Sequence, residues 1–199
     1  NIHVSTGGNL VCTGLAESPI LFTSFNAEPS PGDWAHVRIG TAGQGDLDYC
    51  EFEYGGQSNL GTVFVQSTNA QFNNCTVRNS SSSGFYLDTQ NTSPTFDGLD
   101  VDGCSGAAMQ LANPNIQPVI GDDLSFTNNA DGNVIRINGN GSQMTSDTTW
   151  TVKGTPYAIQ YDLVVDNTET PVTFTILDGV EVQFIPHGFS LQSNIHIGT

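Results

Sequence analysis

Four side chains carry all the permanent positive charge of this 199-residue chain: Arg38, Arg78, Arg136 and Lys153. Against them stand 20 carboxylates, giving a formal net charge of −16. Nucleic acid is excluded as a partner, because phosphate binding needs clustered Lys and Arg. Carboxylates about 5–10 Å apart could hydrolyse a glycosidic bond, and Asp97 with Asp100 or Asp122 with Asp123 are such pairs. With so many acids, pairs of this kind arise on any surface. A second use of the same residues is a cation site: Asp97, Asp100, Asp102, Asp122 and Asp123 crowd one corner of the repeat described below. Turn carbonyls there could complete the roughly six to eight oxygens that calcium takes; a solvated acidic face is the simpler expectation. No other cofactor is implied. His3, His36, His187 and His196 have no Ser or Cys partner in a motif, and Cys12, Cys50, Cys75 and Cys104 lack the CxxC or Cys/His spacing of a zinc site. No catalytic set emerges, so the expectation is a protein without enzymatic activity.

The elements that would position these residues are strands. Charged residues are only 12% of the chain, and Gly, Asn, Ser and Thr stand where a helical protein places Lys, Glu and Ala. No apolar run is long enough to span a membrane as a helix. Short alternating runs recur instead: Leu47-x-x-Cys50-x-Phe52, Phe72-x-x-Cys75-x-Val77, Phe96-x-x-Leu99-x-Val101 and Ile120 with Leu124-x-Phe126. A second series runs in step through Val37-x-Ile39, Val63-x-Val65, Phe85-x-Leu87, Met109-x-Leu111 and Ile135-x-Ile137. From Phe52 to Val77 to Val101 to Phe126 the steps are 25, 24 and 25 residues. Two registered series with that period predict a solenoid of about 24–25 residues per coil, with like residues stacked in columns about 4.8 Å apart.

The predicted inward columns are Leu47/Phe72/Phe96/Ile120, Cys50/Cys75/Leu99/Leu124, Phe52/Val77/Val101/Phe126 and Ile39/Val65/Leu87/Leu111/Ile137. Cys50 and Cys75 then act as small apolar fillers, Cys104 falls in a turn and Cys12 in a separate strand series. Parallel neighbours point their Cβ bonds the same way, which disfavours disulfides between coils. Outward, Glu53, Arg78 and Asp102 share a column that places Arg78 between two carboxylates. Another outward column, Arg38/Phe64/Tyr86/Gln110/Arg136, sets two rings side by side. Arg38, Phe64 and Tyr86 could hold a sugar ring, or be packed over by a neighbouring fibre or by the long loop from Gly139 to Thr155. Arg38 and Arg136 lie four coils apart, too far to act on one bond. The sequons at Asn74, Asn79, Asn91 and Asn140 fit N-glycosylation.

Gly14 to Ser24, Gly32-Asp33-Trp34, Phe72 to Asn79 and Asp178 to Phe184 resemble the repeats of right-handed parallel β-helix proteins of the pectin-lyase-like type. The resemblance implies an all-β, right-handed parallel β-helix exposed outside the cell or on its surface. Lyases on that fold use a Lys or Arg base beside calcium-binding acids, and the few cations here are poorly placed for it. The chain opens Asn1-Ile-His-Val-Ser-Thr6 and closes Asn194-Ile-His-Ile-Gly-Thr199. A single domain over 1–199 is expected, with 194–199 read as the start of a further copy at a 193-residue spacing. The function expected is a structural module of an extracellular filament or stalk whose partner is itself, end to end. The rival is a carbohydrate-binding or carbohydrate-active β-helix, with glycans as partner.

Overall fold

The computed structural model describes residues 1–88, 93–121, 123–138, 143–166, 170–186 and, as backbone, 195–197. Asp122, Asn91, Asn140 and His187 lie outside the described residues, as does the His196 side chain.

The strands fall into successive coils. The first holds β1 (Ile2–Val4), β2 (Asn9–Thr13) and β3 (Ile20–Phe22); the second β4 (Val37–Ile39), β5 (Gln44–Asp48) and β6 (Cys50–Glu53). The third and fourth each have a short and a long strand: β7 (Val63–Val65) with β8 (Ala70–Arg78), then β9 (Phe85–Leu87) with β10 (Thr95–Asp102). The fifth has β11 (Met109–Leu111), β12 (Val119–Ile120) and β13 (Leu124–Thr127); the sixth β14 (Ile135–Ile137), β15 (Gln143–Met144) and β16 (Thr148–Trp150). The last are β17 (Tyr157–Ile159), β18 (Leu163–Val165) and β19 (Phe174–Ile176), followed by β20 (Val182–Phe184) and β21 (Ile195–Ile197).

Every paired strand is parallel to its neighbours. One wall is an eight-stranded sheet in the order β1-β4-β7-β9-β11-β14-β17-β20. The second wall runs β12-β10-β8-β5-β2, with β13 beside β10 and β3-β6 beside β8. This is the all-β parallel solenoid expected, and the columns hold. Leu47 pairs with Phe72, Phe72 with Phe96 and Phe96 with Ile120. Ile39, Val65, Leu87, Leu111 and Ile137 stack in register on the first wall. Their side chains form one continuous core, in which Phe72 lies flat on Phe96 at 5.2 Å and edge-on to Phe85 at 5.5 Å.

From the second coil to the fifth, the second wall bends where residues take a left-handed conformation. Tyr49 (φ 47), Asn74 (φ 52) and Gly98 (φ 64) break the second wall at one level; Tyr54 (φ 62), Asn79 (φ 53), Gly103 (φ 66) and Asn128 (φ 54) end it at the next. Asn and Gly reach this region at low cost, whereas the two tyrosines are strained. The close stacking of the bends explains Gly98, where a Cβ would come within 2.8 Å of Asn74 Oδ1.

Two expectations are corrected. Cys12 belongs to the first inward column, paired with Leu47, because the alternation of β2 buries it there. Residues 139–155 are not one long loop: β15 and β16 lie within them. At the two similar ends, β1 pairs with β4 in the long wall and β21 pairs with β18 in another sheet.

Candidate functional site

The outer face of the long wall carries the predicted ring column. Arg38 pairs in register with Phe64 and Phe64 with Tyr86. The Arg38 guanidinium sits 5.1 Å above the Phe64 ring, His36 meets that ring edge-on at 5.7 Å and Tyr86 at 5.6 Å. Both Nε and Nη2 of Arg38 donate to Gln66 Oε1, and His36 Nδ1 lies 2.9 Å from Ser58 Oγ. The structure brings all three predicted residues together, but not as exposed rings. Phe64 is only 3% exposed, because its neighbours close over it. Burial, then the Arg38 charge, hold His36 below its ordinary pKa. Burial and Asp88 push the Tyr86 phenol up. The packing reading fits this geometry better than the sugar platform.

Two carboxylates of the acidic corner are engaged by neighbouring side chains. Asp100 pairs with Arg78, Nη2 to Oδ2 at 3.4 Å. Asp102 accepts from Thr127 Oγ1 at 2.6 Å and from Asn128 Nδ2 at 2.7 Å, which holds its carboxyl below the ordinary value. The predicted Arg78 bridge to Glu53 and Asp102 is thus corrected: Asp102 is taken up by the next coil, and Glu53 accepts from Thr23. Asp97 is exposed and lies against Gly121, where an added Cβ would come within 2.5 Å of its Oδ1. Asp123 is exposed as well. Among the described residues no three His, Cys, Asp or Glu side chains converge on a metal position.

All four cysteines are free and buried. Burial and the neighbouring Cys50 raise the Cys12 thiol to about 11, and burial raises Cys104 to about 11. At neutral pH neither offers a thiolate nucleophile. Of the sequons, Asn74 is exposed and Asn79 half-buried. Both stand at left-handed bends, which gives each a conformational reason to be Asn.

Sequence reasoning missed Asn115. Only 3% exposed, it donates from Nδ2 to the Gln143 carbonyl at 2.8 Å and accepts the Thr145 N–H on Oδ1 at 2.7 Å. Gln117 Nε2 donates to the Asp147 carbonyl at 2.8 Å. These amides join the fifth coil to the sixth where, among the described residues, the second wall has no strand ladder between them. Its strand-free connection hid it from a search for periodic apolar runs. Beside this break a groove of about 590 Å³ opens along Leu124–Thr127, closed on the far side by Val134, Thr155 and Pro156.

A family model described as a right handed beta helix region matches residues 32–168. The chain belongs to the right-handed β-helix family. That family includes enzymes and non-enzymes, so membership leaves the activity to be argued from the surface. Compared with curated proteins and with solved structures, the chain finds no match. The family assignment agrees with the pectin-lyase-like resemblance of the Phe72 to Asn79 segment, which forms most of β8 in this β-helix. No helix among the described residues is long and apolar enough to cross a membrane.

Proposed function

We propose that this β-helix is a structural module of an extracellular filament or cell-surface stalk, extended by adding rung upon rung. The supporting observation is the rung-on-rung stacking itself. Each strand of the first coil is continued by an equivalent strand of the second: β1 by β4, β2 by β5 and β3 by β6. Inside it, Val4, Cys12 and Phe22 begin columns that later coils continue. In such a stack the strand edges and apolar cross-section of each coil template the next layer. A second copy or further coils of the same kind would extend the stack at the ordinary rung spacing of about 4.8 Å. The net charge of −16 keeps such rods hydrated and apart.

Negative-stain microscopy across a concentration series tests the reading. Rods of constant width whose length grows with concentration are expected; compact particles of one size throughout would overturn it. The carbohydrate reading has less support, because the ring best placed to stack on a sugar, Phe64, is covered.

A further inference from the structure

On the second wall, outward residues of successive rungs form two columns. One runs Val11, Asp46, Gln71, Thr95 and Val119; the other Leu21, Glu51, Thr76, Asp100 and Ser125. Only the first rung is apolar in both. There Val11 is 59% and Leu21 52% exposed, Leu15 on the connecting bend is 55% exposed, and Phe25 just past β3 is exposed completely, at 104%. The bend that carries Phe25 is tied down. Ser24 Oγ donates to Asp33 Oδ2 at 2.6 Å, the Ser30 N–H donates to the same oxygen at 3.0 Å, and the Asn26 N–H donates to Ser24 Oγ at 3.1 Å. An aromatic ring held into water on an ordered bend, in the coil that also exposes Val11, Leu15 and Leu21, is the arrangement of an interface anchor.

We infer that this face docks a partner protein whose contact surface is apolar at its centre and rimmed by Lys and Arg. The charges around the patch choose the occupant. Asp46 stands beside Val11 and Glu51 beside Leu21, one rung along. A second copy would bring the same carboxylates against these, between bodies that each carry −16; an anionic lipid surface is opposed by the same sign. A cationic rim instead pairs with Asp46 and Glu51 while the partner's apolar centre covers Leu21 and Phe25. The patch lies on the outer face of the wall, so it remains open when rungs stack end to end. The inference therefore stands whether or not the filament reading does.

The test uses the 199-residue chain and a fluorescent extended peptide of alternating Lys and Phe, followed by anisotropy. Saturable binding is expected, weakened roughly tenfold or more when both apolar anchors are removed in a Leu21→Ser/Phe25→Ser variant. Raising salt to about 0.5 M should weaken it further, because the rim is exposed. Both substituted side chains are largely in water, so circular dichroism and thermal unfolding should match the parent. Equal binding of a Lys–Ser peptide, or no loss in the double variant, would reduce the effect to general acidity and overturn the inference. It would also be overturned by self-association in sedimentation velocity that the double variant abolishes, or by retention on phosphatidylglycerol vesicles. Those results would give the patch to a second copy or to lipid.

Discussion

The coils from Val37 to Thr127 and those from Ile135 onward share one wall and differ in the other. In the first region both walls stack: β4, β7, β9 and β11 on one side, β5–β6, β8, β10 and β12–β13 on the other. In the second the long wall continues through β14, β17 and β20, while the opposite side divides into β15-β18-β21 and β16-β19. Between the two regions the second wall is joined by side-chain amides, Asn115 and Gln117, in place of a backbone ladder. Core chemistry differs in step. Phe72, Phe85 and Phe96 pack as a closed triangle in the first region, whereas in the second Trp150 lies flat on Tyr157 at 4.4 Å and edge-on to Phe174. A solenoid passes stability only between neighbouring rungs. A missing ladder in one wall therefore marks where its cooperativity is weakest.

The strongest challenge to that comparison is Phe72→Ala. Phe72 is fully buried and touches rings above it and on the facing wall. Its loss removes burial and leaves a cavity that the stacked rungs cannot close, at a cost of about 3–5 kcal/mol. Chemical denaturation should show the first region's transition moving to much lower denaturant, with the Trp150 fluorescence change moving less. If both signals shift together by the full amount, the two regions are one cooperative unit.

Asn115→Ala should cost somewhat less, about 2–3 kcal/mol, because it leaves the Gln143 carbonyl and the Thr145 N–H without their buried partner. Here the location of the effect matters more than its size. Hydrogen exchange should quicken across β15, β16 and β18, while amides of β8 and β10 keep their protection. Uniform acceleration would erase the distinction.

What the residues alone revealed follows the same division. The period of 24 or 25 residues is clear wherever both walls stack, because two apolar columns per coil constrain each other's register. Past Ile137 one set of columns ends, and Gln143-Met144 and Thr148-Thr-Trp150 are too short and polar to stand out as strands. The left-handed bends were half legible. Asn79, Gly103 and Asn128 recur at the coil spacing, but Tyr54 at the same level disguises the rule. The site was legible as a column and not as a surface: which residues stack with Arg38 follows from the register, whereas the closing of His36, Arg38 and Tyr86 over Phe64 depends on rotamers that spacing does not encode.

The finest test concerns the last fully stacked rung. Asp102 on β10 holds Thr127 and Asn128, the end of β13 and the bend after it, through two short hydrogen bonds to one carboxylate oxygen. Those bonds favour the ionised form and keep its pKa below the ordinary 3.8. A carboxyl whose folded value is depressed adds stability that is complete above its unfolded value and fades as pH falls through the folded one. The contribution is therefore present at neutral pH and is lost below about pH 4. The group is half-buried and partly screened by solvent, so the contribution is small. Thr127→Val removes the shorter bond and should move the Asp102 titration, followed by carboxyl carbon NMR, up toward the ordinary value with little change in unfolding at pH 7. An unmoved titration would mean that β13 is held to β10 by its backbone ladder alone, and that the side chains bridging coils matter only past the break, where no ladder shares the load.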